Sequence, residues 1–170
     1  MTEGDFRAIY QELIDENPLA IRAVLQILSI EFTESVPTLA VSCTSDPVLH
    51  VNLGFLAEHC KTEDHVKAVI VHEFLHILLR HTRSLKPLTP ARHLATDAVI
   101  NAIIHRQLGP AYSGLMTRFY AHESGVRVLL RPPTEREIGA RTDWRRDSHS
   151  SPLVAAWSGL YRGNLCADDI

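Results

Sequence analysis

The sequence lacks the marks of several protein classes. No apolar run reaches the roughly 18 residues that a membrane span needs, and residues 1–10 have no basic start leading into an apolar stretch. A soluble, unexported chain is expected. Basic residues are in slight deficit: 17 Lys and Arg against 20 Asp and Glu give a net charge of −3, which argues against a phosphate-neutralising nucleic-acid binder. The three cysteines, Cys43, Cys60 and Cys166, are odd in number and form no Cys-x-x-Cys pair. They disfavour a disulfide scaffold or a thiolate zinc site and make the reducing cytoplasm the expected location. Neither an internal repeat nor a low-complexity tract is visible.

What is present suits one compact domain: 170 residues, 45% of them hydrophobic, are enough for a real core. Histidine is the anomaly. Six of the ten (His59, His65, His72, His76, His81 and His93) crowd into one short stretch.

Apolar residues recur at helical spacing over 6–14, and Asn17-Pro18 interrupts them; Ile21, Val24, Leu25 and Leu28 suggest a second helix that fades over 33–37. Residues 39–43 and 48–53 flank the turn-forming Thr44-Ser45-Asp46-Pro47, which predicts a hairpin and hence a small antiparallel sheet. Thr62 can cap a helix whose first turn holds Glu63 and Asp64, whose end carries Arg80, His81 and Arg83, and which stops before Pro87. Its apolar residues cover nearly the whole circumference, which predicts a buried central helix whose interior polar residues need a reason to be there. Thr89-Pro90 and Gly109-Pro110 bracket a further long helix. Beyond it, 126–130 reads as a strand, 131–152 as a polar surface loop, and 152–162 as an amphipathic helix with Val154, Trp157, Leu160 and Tyr161 inward, closed by Gly163. The expected organisation is a single domain over 1–170, its core at about 36–110.

His72-Glu73-Phe74-Leu75-His76 reads H-E-x-x-H. On a helix the two histidines lie about 400° of rotation apart and project from one face. They can share a metal; neutral imidazole suits zinc, and Glu73 can take a proton from a water on that metal. With 10 His and 11 Glu in 170 residues, chance supplies roughly 0.04 such matches. The plain structural reading is two hydrogen-bonded core histidines and a paired carboxylate.

A catalytic zinc site needs a third protein ligand, and two residues compete. His81 completes H-E-x-x-H-x-x-x-x-H, but in a continuous helix it lies about 900° from His72, on the opposite face. Asp97 stands on the next helix, with Asn101 one turn on, placed to hydrogen-bond a ligand and fix its orientation. The geometry favours Asp97, and one zinc ion per chain is expected. His93, one turn before Asp97, is a weaker ligand candidate that better suits the rim of a cleft.

These residues carry a resemblance. The run from His72 to Arg83, followed by Leu94-Ala95-Thr96-Asp97-Ala98-Val99-Ile100-Asn101, resembles the metallopeptidase domain found N-terminal to von Willebrand factor A-like domains in bacterial predicted metal-dependent peptidases. Leu49-His50-Val51-Asn52-Leu53-Gly54-Phe55 looks like that family's strand before the active-site helix. The zinc site is also similar to that of ImmA/IrrE-type peptidases, where H-E-x-x-H-x-x-x-x-H precedes a helix with an acidic third ligand followed four residues later by asparagine. On that comparison Asp97 and Asn101 match, His81 aligns with a non-ligand, and an Asp stands where that site has Glu. The resemblance implies a zincin-like, gluzincin-type α+β fold: a small antiparallel sheet packed on a buried H-E-x-x-H helix, with a second ligand-bearing helix.

The leading expectation is a zinc endopeptidase in which His72, His76 and Asp97 hold the metal, Glu73 is the general base, and the edge of the 48–53 strand binds substrate by strand addition. A metal-dependent ribonuclease is the alternative, weakened by the lack of a basic balance. A non-catalytic metal-binding interaction module is a third, and Glu73 argues against it because a structural site has no use for a general base. The expected partners are a peptide or protein substrate; a regulatory protein partner is left open, and neither nucleic acid nor membrane is expected.

Overall fold

A computed structural model of the chain describes residues 1–16, 29–42, 47–79, 89–134, 136–137 and 151–170. The fold is mixed α+β, mostly helical, with a small three-stranded sheet. Two compact units divide it, Met1–Pro87 and Leu88–Ile170. Among the described residues no helix is long and apolar enough to cross a membrane.

In the first unit, helix α1 (Glu3–Glu16) buries Phe6, Ile9 and Leu13, three positions on one helical face. Its start is fixed reciprocally: the Asp5 amide donates to Thr2 Oγ1 and the Thr2 amide donates to Asp5 Oδ2. The second helix suggested by Ile21, Val24, Leu25 and Leu28 lies outside the described residues.

The predicted hairpin pairing is present: β2 (Leu39–Val41) runs antiparallel to β3 (Val48–Val51), with Leu39 opposite Val51. The sheet is nevertheless not purely antiparallel. Ser29–Phe32, expected at the fading end of a helix, forms β1 and pairs parallel with β3. The order β1-β3-β2 puts β3 in the centre, so the strand that was expected to offer an edge to substrate has both sides paired. The strand also ends earlier than 53. Asn52 turns the chain into helix α2 (Leu53–His59), its Oδ1 accepting from the Phe55 amide while its Nδ2 donates to the Val36 carbonyl. One side chain thus stops the strand and starts the helix.

Helix α3 (Glu63–Leu78) carries the H-E-x-x-H motif, and Thr62 caps it through the His65 amide, an arrangement worth about 1 kcal/mol. Both α1 and β2 pack on it. Val66, Ile70, Phe74 and Ile77 are buried on one stripe, and Tyr10 of α1 meets Phe74 edge-on at 5.8 Å. At 100° per residue, this stripe lies roughly 140° from the one bearing His72 and His76, so burial of the first sets the direction of the second. The helix is less uniformly buried than its composition predicts: Leu79, its C-cap, is exposed. Lys67 is buried because it ends on Glu12 and Glu16 of α1, each at 3.1 Å. Burial pushes its pKa down, but the two carboxylates outweigh that and hold it above the ordinary value.

The second unit is built around helix α4 (Pro90–Leu108), capped by Thr89 and begun by Pro90 as the sequence predicts. Gly109 ends it with φ 86°, in the left-handed region that favours glycine. The same residue begins helix α5 (Pro110–Phe119), which the sequence reading missed by taking Gly109-Pro110 only as a stop. Helix α6 (Pro152–Arg162) matches its expected range, with Trp157, Leu160 and Tyr161 buried but Val154 exposed at 46%.

The predicted strand at 126–130 is a 3₁₀ helix, Gly125–Leu130. Three consecutive carbonyls there are taken by side chains instead of by a neighbouring strand. Leu129 accepts from the Tyr161 hydroxyl at 3.1 Å, Leu130 from Asn101 Nδ2 at 2.9 Å, and Arg131 from Trp157 Nε1 at 2.7 Å. The segment after it does not begin as a surface loop either, since Pro132 and Pro133 are buried. Arg131 lies over the Trp157 ring and forms a two-point pair with Glu137. That pair, against the opposing effect of burial, holds the Glu137 carboxyl down at about 2.

His105 of α4 supplies a pH test of this unit. The Ser113 hydroxyl donates to the Gly109 carbonyl and so accepts from His105 Nδ1 at 2.8 Å. Burial holds the His105 pKa below its ordinary value. The unfolded chain therefore takes up this proton first as pH falls, and the stability contributed by neutral His105 is complete above about pH 6.5 and declines below it. Melting at pH 7.5 and 5.5 is expected to show a smaller loss for His105→Asn than for the parent chain; an equal loss would remove His105 as a source of the pH dependence.

Candidate metal centre

The six crowded histidines have separate fates. His59 packs on the Phe55 ring and lies 3.7 Å from Glu58. His65 is buried, its Nδ1 accepting from the Lys61 amide. His81 lies outside the described residues, and α3 ends at Leu78.

His72 and His76 converge. Their Nε2 atoms stand 3.1 Å apart and their rings meet at 64°, with centroids 4.8 Å apart. Two imidazole nitrogens about 2.05 Å from one tetrahedral zinc are about 3.3 Å apart. The pair thus has nearly the spacing that a shared ion requires, along with the donor type that zinc takes. With one Nε2 protonated, the 3.1 Å contact is a single N–H···N hydrogen bond between the rings; with both Nδ1 atoms protonated, two lone pairs face one another, which suits a cation. Glu73, half-buried, follows His72 on the same helix. A carboxylate beside two imidazoles that held a metal could accept a proton without being a ligand.

Asp97 stands in the second unit, on α4, with its side chain 17% exposed. Its Oδ2 is 2.9 Å from Nδ1 of His93, one turn earlier on the same helix. Tyr120 senses the same carboxylate: burial and the Asp97 charge push its phenol up to about 12, against Arg127 and with Glu123. Tyr120 is therefore a neutral hydrogen-bond donor across the physiological range. Arg127 is itself held by Glu123 through bonds of 2.7 and 2.9 Å.

The chain matches no family model, no curated protein and no solved structure.

Asn101 is on the expected helix but has a further duty. It is buried and its Nδ2 supports the 3₁₀ helix through the Leu130 carbonyl, so its replacement would disturb the fold of this unit as well as any ligand it orients. His93, expected at the rim of a cleft, instead meets Asp97. The signal was the His-x-x-x-Asp spacing, which on a helix brings the two side chains together. The link between Tyr120 and Asp97 had no local signal, because 23 residues and the α4–α5 corner separate them.

Proposed function

We propose that the chain is a zinc-dependent metallopeptidase of zincin-like fold, with His72, His76 and Asp97 as metal ligands and Glu73 as general base. The observation that carries this reading is the 3.1 Å convergence of the His72 and His76 Nε2 atoms on a helix that also bears Glu73 between them. Zinc in such a site polarises a scissile carbonyl and lowers the pKa of a water to about 7. The chain's own residues then divide the remaining work. His72 and His76 present neutral imidazole nitrogens from a helix whose rotation is locked by its buried stripe. Asp97 brings a negative charge that suits a divalent cation, and His81 is the competing third ligand. Glu73 accepts the proton of the attacking water and returns it to the leaving amine, the exchange that peptide hydrolysis requires of a general base and acid. Strand addition of an extended substrate falls to β1 or β2, the outer strands among the described residues.

Incubation of the purified chain with a peptide library and, separately, with single-stranded RNA tests this reading. Peptide cleavage that stops on chelation and returns with zinc is expected. Cleavage of RNA alone would replace the peptidase with a ribonuclease, and metal binding without either cleavage would leave an interaction module.

A further inference from the structure

We propose that His93 is a positioning residue that sets the direction of the Asp97 carboxylate, a role that rests on the reading of Asp97 as a metal ligand. The two side chains are one turn apart on α4, with His93 Nδ1 2.9 Å from Asp97 Oδ2. The backbone around His93 is itself fixed. Its amide donates to the Thr89 carbonyl at 2.9 Å, and Thr96 Oγ1 donates to its carbonyl at 2.8 Å. The ring is 60% exposed and the carboxylate 17%, so an outer imidazole reaches back onto a recessed acid.

As an ion pair this contact is a weak helix stabiliser. Its consequence for a ligand is directional. A carboxylate offers about four lone-pair sites on two oxygens, and rotation about Cβ–Cγ sweeps both oxygens around. An N–H held on Oδ2 stops that rotation. An aspartate also has one methylene less than a glutamate with which to correct a wrong angle. Hydrogen bonds of this kind to a ligating group change metal affinity by roughly 10–100-fold.

The test measures zinc affinity of the full chain by competition with a chromophoric chelator, for the parent, His93→Ala, His93→Asn and His72→Ala. Melting of the metal-free proteins is followed alongside. His93→Ala is expected to bind zinc about tenfold more weakly, while His93→Asn, which keeps an N–H near the place of Nδ1, stays within about threefold of the parent. The metal-free melting temperatures should agree. Parent affinity in His93→Ala would make the pair a surface contact and overturn the proposal. Complete loss of zinc in both His93 variants would make His93 a ligand and overturn it equally. If the parent binds no zinc, or His72→Ala binds it as the parent does, the metal site fails and the positioning role with it. That result is distinct from failure at His93 alone.

Discussion

Glu73→Gln is expected to retain a full complement of zinc and the parent fold while losing peptide hydrolysis by at least about a hundredfold. Glutamine keeps the size and polarity of the side chain, so the half-buried position on α3 is filled as before. It has no carboxylate to take the proton of the attacking water. Glu73 is about 100° round the helix from His72 and about 60° from His76, beside the stripe from which the two imidazoles converge but off it. Activity must therefore separate from metal content in this variant. Steady-state hydrolysis rates with zinc content measured on the same samples check it, and equal rates would remove Glu73 from the chemistry.

His72→Ala or His76→Ala should bring bound zinc close to none, because each deletes one of two nitrogens that stand 3.1 Å apart. The loss extends to stability. A ligand present at about a hundred times its Kd stabilises the folded state by roughly 2.7 kcal/mol, which for a chain of this size is about 5–10 °C in melting temperature. Chelator should therefore lower the Tm of the parent by about that amount and leave either variant almost unmoved. Asp97→Ala is expected to behave like the histidine variants and His81→Ala like the parent. The reverse pattern would transfer the third ligand to His81.

Signals carried by one or two adjacent residues were legible in the sequence. Thr62 and Thr89-Pro90 start their helices and Gly163 ends the last one, each where the local chemistry places it. The facing strands β2 and β3 followed from alternation and a turn between them. Elements decided by distant partners were not legible. Ser29–Phe32 becomes a strand through parallel pairing with Val48–Val51, nearly twenty residues on. Residues 126–130 have strand-like composition, but the carbonyls of Leu129 and Leu130 are claimed by Tyr161 and Asn101, 32 and 29 residues away. Gly109-Pro110 reads locally as a stop, yet a left-handed glycine before proline closes one helix and opens the next. The apolar character of Leu53 suits a strand, but Asn52 before it caps a helix, and the cap decides.

The candidate site divides in the same way. The spacing of His72, Glu73 and His76 needs only a helix to bring the two imidazoles together, and α3 does so. The surroundings of Asp97 come from His93, one turn earlier on α4, and from Tyr120 of the next helix, and only the first of these is written in sequence spacing. His105 and Ser113 make the same point: eight residues apart and on either side of the Gly109 corner, they meet at 2.8 Å because the corner folds one helix onto the other.

Zinc content of the purified full chain under metal-replete, chelator-free conditions tests the central claim most directly. One zinc per chain, absent from His72→Ala prepared in the same way, is the result this account predicts. A parent chain that binds no zinc would contradict it, whatever hydrolysis the preparation displays.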